Sequence, residues 1–386
     1  MAERLRSLDV FRGTTVALMI LVNNPGSWAH LYPPLAHAPW HGVTATDLVF
    51  PFFLFAVGNA LAIVLPRLEA TADFWRKVAT RTFVIFAIGL ALNASPFVRW
   101  SAEGELVLRS WEQLRLMGVL QRIALAFGAA AVIVWLLDRR VHRVLWATAA
   151  LLLGYWAACH ALGRPGDPYS LEGFFGTALD RALLGADHLY RGEGVPFDPE
   201  GLASTVPAVA QVLLGWWAGE TVRRARIDAE LLVRLFVAGT LLLVLAHLWQ
   251  LEMPLNKKIW TSSYVLHTSG AALLALAMLL HTIERRGAGR LPMWARLFEV
   301  FGRNALFIFV LSGFVPRALA LLRWRDGTGA DGQAPWTSPL PWLYQTVFAG
   351  IGSDPRVGSL LFAVANLAVY WWIARMLDRR GLHIRV

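Results

Sequence analysis

The chain has 386 residues, 56% of them hydrophobic and only 16% charged, with a formal net charge of +10. Soluble chains carry about 25% charged residues, so this one lacks the polar surface that a water-soluble domain of its length needs. Its one cysteine, Cys159, excludes an internal disulfide framework and a cysteine metal cluster. Its basic residues cluster in short stretches between apolar blocks, which argues for membrane loops and against nucleic acid as a partner.

The mean hydropathy is +0.50. The first residues, MAERLRSLDVFRG, carry no cleavage site before the first apolar run, so that run is expected to stay as a membrane helix. Ten spans follow, each near the ~20 residues that cross a bilayer. They are Leu8–Val22, Thr46–Leu65, Thr82–Phe97, Leu114–Leu137, Val144–Leu162, Ser204–Gly219, Leu231–Leu248, Ile259–Ile283, Leu297–Leu321 and Ser359–Leu377. Helices are required because lipid offers backbone N–H and C=O groups no partner. Pro341–Ile351 is too short to span and reads as interfacial or re-entrant. The predicted fold class is all-α: a polytopic integral membrane protein of about ten transmembrane helices, one domain over residues 1–386.

Lys and Arg set the orientation. With the N-terminus inside, the cytoplasmic segments carry 22 of them, including Arg4, Arg6, Arg81, Arg139, Arg140, Arg223, Arg224, Arg286, Arg290, Arg380 and Arg385. The opposite segments carry 11, among them Arg115, Lys257 and Lys258. Both termini are therefore expected in the cytoplasm.

The first outer loop, Val22–Pro51, holds His30, His37 and His41, with Asp47 entering the next helix. A histidine near neutral pH can shuttle a proton or act as a nucleophile. Such histidines can equally well hydrogen-bond loop backbone. His37 and His41 are four apart, but Pro39 argues against a helix between them and no carboxylate is usefully spaced, so no metal is expected. Asp9 and Arg12, three apart, can pair on one helix face. An arginine inside a span usually faces a partner. Arg122 either pairs with an acid such as Asp47 or binds an anion, for example a phosphate. In Leu255–Gly270, polar residues crowd a helix start, a place that favours anions and carbonyl oxygens. Trp260 there could instead be an interfacial anchor. The second long outer segment is Gly163–Ala203, and segments of this length are often functional. No phosphate-binding glycine loop or nucleophile elbow is present.

Several motifs in order resemble the heparan-α-glucosaminide N-acetyltransferase family and its bacterial relatives. They are RLRSLDVFRG (Arg4–Gly13), VNN (Val22–Asn24), LAHAPWHGVTATDLVFPFFLFAVG (Leu35–Gly58), GVLQRIAL (Gly118–Leu125), FDPEGLASTVPAVAQVLLGWWAG (Phe197–Gly219), NKKIWTSSYVL (Asn256–Leu266) and FGRNALFIFVLS (Phe301–Ser312). The short start suggests the bacterial form, in the inner (cytoplasmic) membrane. The resemblance implies transfer of acetyl from cytosolic acetyl-CoA, across the membrane, to the amine of a glucosamine-type sugar. It implies that His37 and Asn23 are catalytic, with Asp47 setting the imidazole tautomer. It implies coenzyme contacts at Arg81, Arg122, Ser263 and Arg380, and acceptor contacts at Trp40, His41 and Asn256. The loop between Asn23 and His37 looks longer than the family's, and His41 stands where the lysosomal enzyme has asparagine. Both departures bear on the acceptor. The expected partners are the amino-sugar acceptor, the lipid bilayer and, in a homodimer, a second copy of the chain. The competing reading is an amino-sugar or N-acetylglucosamine transporter, which the same buried polar groups would suit. Against it, the sequence has no inverted repeat or matched pair of broken helices.

Overall fold

The computed structural model describes residues 5–67, 71–285, 291–327 and 335–384. Of the basic residues used for orientation, Arg4, Arg286, Arg290 and Arg385 lie outside them. Thirteen α-helices order these residues: α1 Arg6–Asn23, α2 Val49–Val64, α3 Thr71–Ala94, α4 Val119–Leu136, α5 Val141–Leu162, α6 Phe175–Leu184, α7 Leu202–Arg224, α8 Ala229–Trp249, α9 Ser262–Leu279, α10 Met293–Arg303, α11 Ala305–Leu319, α12 Pro339–Leu343 and α13 Pro355–Arg379. Two short antiparallel hairpins, β1–β2 (Val98–Trp100 with Leu106–Leu108) and β3–β4 (Trp324–Arg325 with Trp336–Thr337), sit in the connections. Arg323 joins the hairpins by lying 4.0 Å from the Trp100 ring and 4.3 Å from the Trp336 ring.

The chain is a multi-pass membrane protein. Among the described residues, eight helical segments are long and apolar enough to cross a membrane, and nine if the bent pair α10–α11 counts as one. α1 falls short of that test because Arg6, Asp9 and Arg12 occupy its first two turns. It is nevertheless largely buried against its neighbours, and Arg12 donates to Asp9 at 2.7 Å as the spacing suggested. The predicted straight span Leu297–Leu321 is in fact two helices meeting at 78°. Asn304 explains the break. Its buried side chain donates to Leu382 O at 3.2 Å and accepts from Ile384 N at 2.8 Å, so the chain after α13 holds the residue at the bend. α3 begins at Thr71, well before the predicted Thr82, because Phe74 stacks on Trp135 with ring centroids 4.1 Å apart and carries the polar first turns with it.

The main core lies between α2, α4, α7 and α9, around Leu54, Leu61, Ile123, Phe127, Leu213, Trp216 and Tyr264. Lipid does not drive helices together by the hydrophobic effect, so close backbone approach at small residues carries much of the packing. A Cβ on Gly58 would lie 2.1 Å from Val212 O, and one on Gly215 would lie 2.2 Å from Phe55 O. α2 and α7 therefore touch backbone to backbone.

The connections sort to two ends. At one, which we call the histidine end, Gly42 N donates to Leu255 O at 2.8 Å and Trp40 Nε1 to Tyr169 O at 2.8 Å. At the opposite end, Arg6 pairs with Glu299 (3.1 Å) and Arg303 with Asp378 (2.7 Å).

Candidate active site

α2 is entered through one tight turn, Thr46–Leu48, which carries Asp47. The Asp47 side chain is 1% exposed and its carboxylate is surrounded by donors. Oδ2 accepts from Ala38 N (3.0 Å), Thr44 N (3.1 Å) and Thr44 Oγ1 (3.1 Å), while Oδ1 lies 2.6 Å from His37 Nδ1. Tyr264, from α9, donates its hydroxyl to Asp47 O at 2.5 Å. A carboxylate only accepts, so Nδ1 of His37 carries a proton, and in the neutral imidazole Nε2 keeps its lone pair. The His37 side chain is 44% exposed, so the ring is not sealed off by its neighbours. The arrangement is a base or nucleophile held in one tautomer by a buried acid, as acyl transfer requires.

Lys257 completes this cluster; the sequence placed it in the polar crowd at a helix start and gave it no role beside His37. Its Nζ lies 3.4 Å from Asp47 Oδ1, 3.0 Å from His37 Nδ1 and 3.4 Å from His37 Nε2. A point at nearly equal range from both ring nitrogens lies over the ring's face, because an in-plane approach would collide with a ring carbon. Burial lowers the Lys257 pKa, although Asp47 and Glu200 pull it the other way. A knot in the loop before α9 places the lysine. Asn256 Oδ1 accepts from Ile259 N (3.0 Å), Thr261 Oγ1 donates to Pro254 O (2.9 Å), and Ser263 Oγ donates to Met253 O (2.6 Å). Trp260 closes the turn in the left-handed region at φ 52°. It is buried, and it packs on Phe50 and Tyr264 instead of anchoring at a lipid surface.

A second charged cluster adjoins the first. Arg115 grips Asp198 with two nitrogens (2.9 and 2.6 Å) and reaches Glu200 at 2.5 Å, with its guanidinium 4.8 Å over the Tyr190 ring. Burial alone would lower its pKa, but the two acids outweigh that and raise it. Glu200 is lowered in turn: burial opposes the charge, and Arg115 and Arg122 more than offset it. Arg122 is fully buried in the first turn of α4. It bonds Pro199 O at 2.5 Å and Ser204 Oγ, and lies 4.9 Å over the Trp260 ring. Among the described residues it makes no hydrogen bond to Asp47. Among the described residues its Nε and Nη1 have no hydrogen-bond partner.

The remaining sequence candidates divide by position. Trp40 is held by Tyr169 O and by Phe197, 5.7 Å between ring centroids, so the segment 163–201 fixes it. His41 meets Asn256 at 3.3 Å. Both therefore belong to the histidine end, as do Ser263, whose hydroxyl the loop knot uses, and Asn23 at the exposed end of α1. Asn23 makes no hydrogen bond to His37 among the described residues. Arg81 lies midway along α3, 4.9 Å over Phe127, with its Nε unpartnered. Arg380 is exposed at the far end of α13.

Comparison with known proteins gives this geometry a context. Residues 4–108, which include His37 and Asp47, match the family model described as a domain of unknown function, DUF5009. The chain is similar to heparan-alpha-glucosaminide N-acetyltransferases. The Homo sapiens protein of that name is 28% identical over 80% of this chain and 52% of its own length. The Mus musculus N-acetyltransferase is also 28% identical, over 80% of this chain and 53% of its own. The chain thus spans about half the length of the curated relatives it matches.

Proposed function

We propose that the chain is a transmembrane acetyltransferase that moves acetyl from acetyl-CoA to the amine of a glucosamine-type sugar. The observation that carries this reading is the His37–Asp47 pair, which leaves Nε2 free in a chain similar to named N-acetyltransferases. Acetyl-CoA is already an activated thioester, so the protein must hold it, remove an amine proton and stabilise an oxyanion. His37 Nε2 either takes the amine proton or attacks the thioester carbon. Asn23 is the candidate that orients the acceptor or the oxyanion. Arg81 and Arg380 lie away from the histidine end and suit phosphates entering from the arginine-rich face. Arg122 suits the other end of the coenzyme, because its Nε and Nη1, unpartnered among the described residues, can donate to an amide or thioester carbonyl. With the termini cytoplasmic in a bacterial inner membrane, the phosphates stay inside and the acetyl group reaches the outer face.

The test is purified protein in detergent with radiolabelled acetyl-CoA and glucosamine. Label should pass to the sugar, and His37→Ala should abolish transfer while keeping the fold. His41→Asn should stay active, with acceptor preference altered. Retained turnover in His37→Ala overturns the assignment of the histidine. Uptake of unmodified sugar into vesicles, with no labelled product, overturns the acetyltransferase reading in favour of a transporter.

A further inference from the structure

We propose that Lys257 is a catalytic residue that donates to the oxyanion formed when the acetyl carbonyl is attacked, an inference that rests on the acetyltransferase reading. The geometry comes first. Nζ sits over the face of His37, 3.4 Å from the free Nε2 and 3.0 Å from Nδ1. A carbonyl carbon delivered to Nε2, or to an amine hydrogen-bonded there, carries its oxygen out of the ring plane. One side of that plane is occupied by Nζ. Asp47 Oδ1, 3.4 Å away, is the counter-charge that keeps the ammonium in place, and the knot around Asn256 fixes the backbone behind it.

The step balances without further reagents. The attacking nitrogen's lone pair forms the C–N bond, and the carbonyl π pair moves onto oxygen beside Nζ. The oxyanion then re-forms the carbonyl as the C–S bond breaks, and the coenzyme leaves as thiolate with that pair. When the amine attacks directly, its proton passes to His37 Nε2 and on to the thiolate; when Nε2 attacks first, the amine then adds to the acetyl carbon, the C–Nε2 bond breaks with its pair returning to the imidazole, and the amine proton goes to the thiolate.

Loss of one preorganised oxyanion donor lowers kcat by about 10²–10³. Lys257→Met should therefore lower kcat by that factor, with KM for acetyl-CoA within about threefold of the unaltered chain. Lys257→Arg keeps a cation against Asp47 and should restore much of the loss. It supplies a second readout as well. Lys257 is faced by His37, Asp47, Glu200 and Lys258, and its pKa is lowered by burial. The unaltered chain should lose kcat as alkaline pH removes the lysine's proton, and the arginine variant should hold its activity to higher pH. A structural lysine would move neither the kcat–KM split nor the alkaline limb. More than a tenth of the original kcat in Lys257→Met overturns the proposal. If that variant does not fold, the arginine variant decides, and an alkaline limb unchanged from the original overturns it equally. Absence of turnover in the unaltered chain is a different result and refutes the acetyltransferase reading itself.

Discussion

Replacing Asp47 by Asn tests the site at its most constrained atom. The two carboxylate oxygens have different neighbours. Oδ2 takes three donors, Ala38 N, Thr44 N and Thr44 Oγ1, while Oδ1 faces His37 Nδ1 and Lys257. An amide has one acceptor oxygen, and it must choose. Two fixed backbone N–H groups outweigh one imidazole that can change tautomer, so the amide oxygen takes the Oδ2 position. The NH₂ then points at His37 Nδ1. Two donors cannot share that 2.6 Å line, so the imidazole proton moves to Nε2 and the free lone pair is lost. A wrong-tautomer histidine in a comparable acid–histidine pair costs about 10⁴ in kcat. That corresponds to roughly 5 kcal/mol of barrier. Asp47→Asn should therefore be nearly inactive yet folded and able to bind acetyl-CoA. Asp47→Ala strands a partly buried lysine and several donors, so it should lose thermal stability as well. The assays are label transfer, calorimetry of coenzyme binding and a thermal melt. An asparagine variant with a tenth of the original kcat would refute the tautomer argument.

Three other expectations follow from the same contacts. Arg115→Met leaves Asp198 and Glu200 without their main cation in a buried setting; breaking such a network costs about 3–5 kcal/mol, read as a large drop in melting temperature. Asp180, whose carboxylate accepts from Leu202 N at the start of α7, is pushed up to about 6 by burial and the Asp198 charge. The folded state then holds a proton that the unfolded state has released, so stability should fall by about 2 kcal/mol as pH rises from 4 to 6. Melts of Asp180→Asn should lack that slope, and a parallel slope in the variant would assign it to other groups. For topology, cysteines placed at exposed positions 187 and 140, with Cys159 replaced, should react oppositely with a membrane-impermeant reagent. Labelling of 140 from outside intact cells would reverse the orientation.

Much of the fold was legible because apolar blocks of bilayer length are hard to mistake. What the blocks concealed were the places where side chains alter the backbone's course. The Leu297–Leu321 block looks continuous, and only the pairing of Asn304 with the chain beyond α13 reveals the 78° bend. Helix α6 lies in a segment of mixed composition, too short and too polar to announce itself. At the site, His37 and Asp47 were readable as neighbours in sequence, ten residues apart on one loop. Lys257 was not, because its partners lie 220 residues away and lysine in a loop looks like an ordinary surface charge. The Arg122 alternatives show the same limit. Both an acid partner and a phosphate were reasonable, while the structure gives it carbonyls, Ser204 and the Trp260 face.

The arrangement of helix directions accounts for why so many acids gather at one end. α2, α4, α7 and α9 all begin there, and they pack on one another through the core. Each N-terminus presents unbonded N–H groups and the positive end of a dipole. Four such ends gathered around α7 make a region that favours negative charge, inside a membrane protein where isolated carboxylates are costly. Asp47, Asp180 and Asp198 are buried there and Glu200 is partly buried, each held by backbone N–H groups or arginine. The same field acts on any charge that develops at His37. An imidazolium gains from Asp47, and an oxyanion gains from Lys257 and from the helix ends beneath it. The catalytic proposal thus depends on the tight contact of α2 with α7. A bulky residue at Gly215 would separate the helix starts and weaken both effects at once, without touching His37.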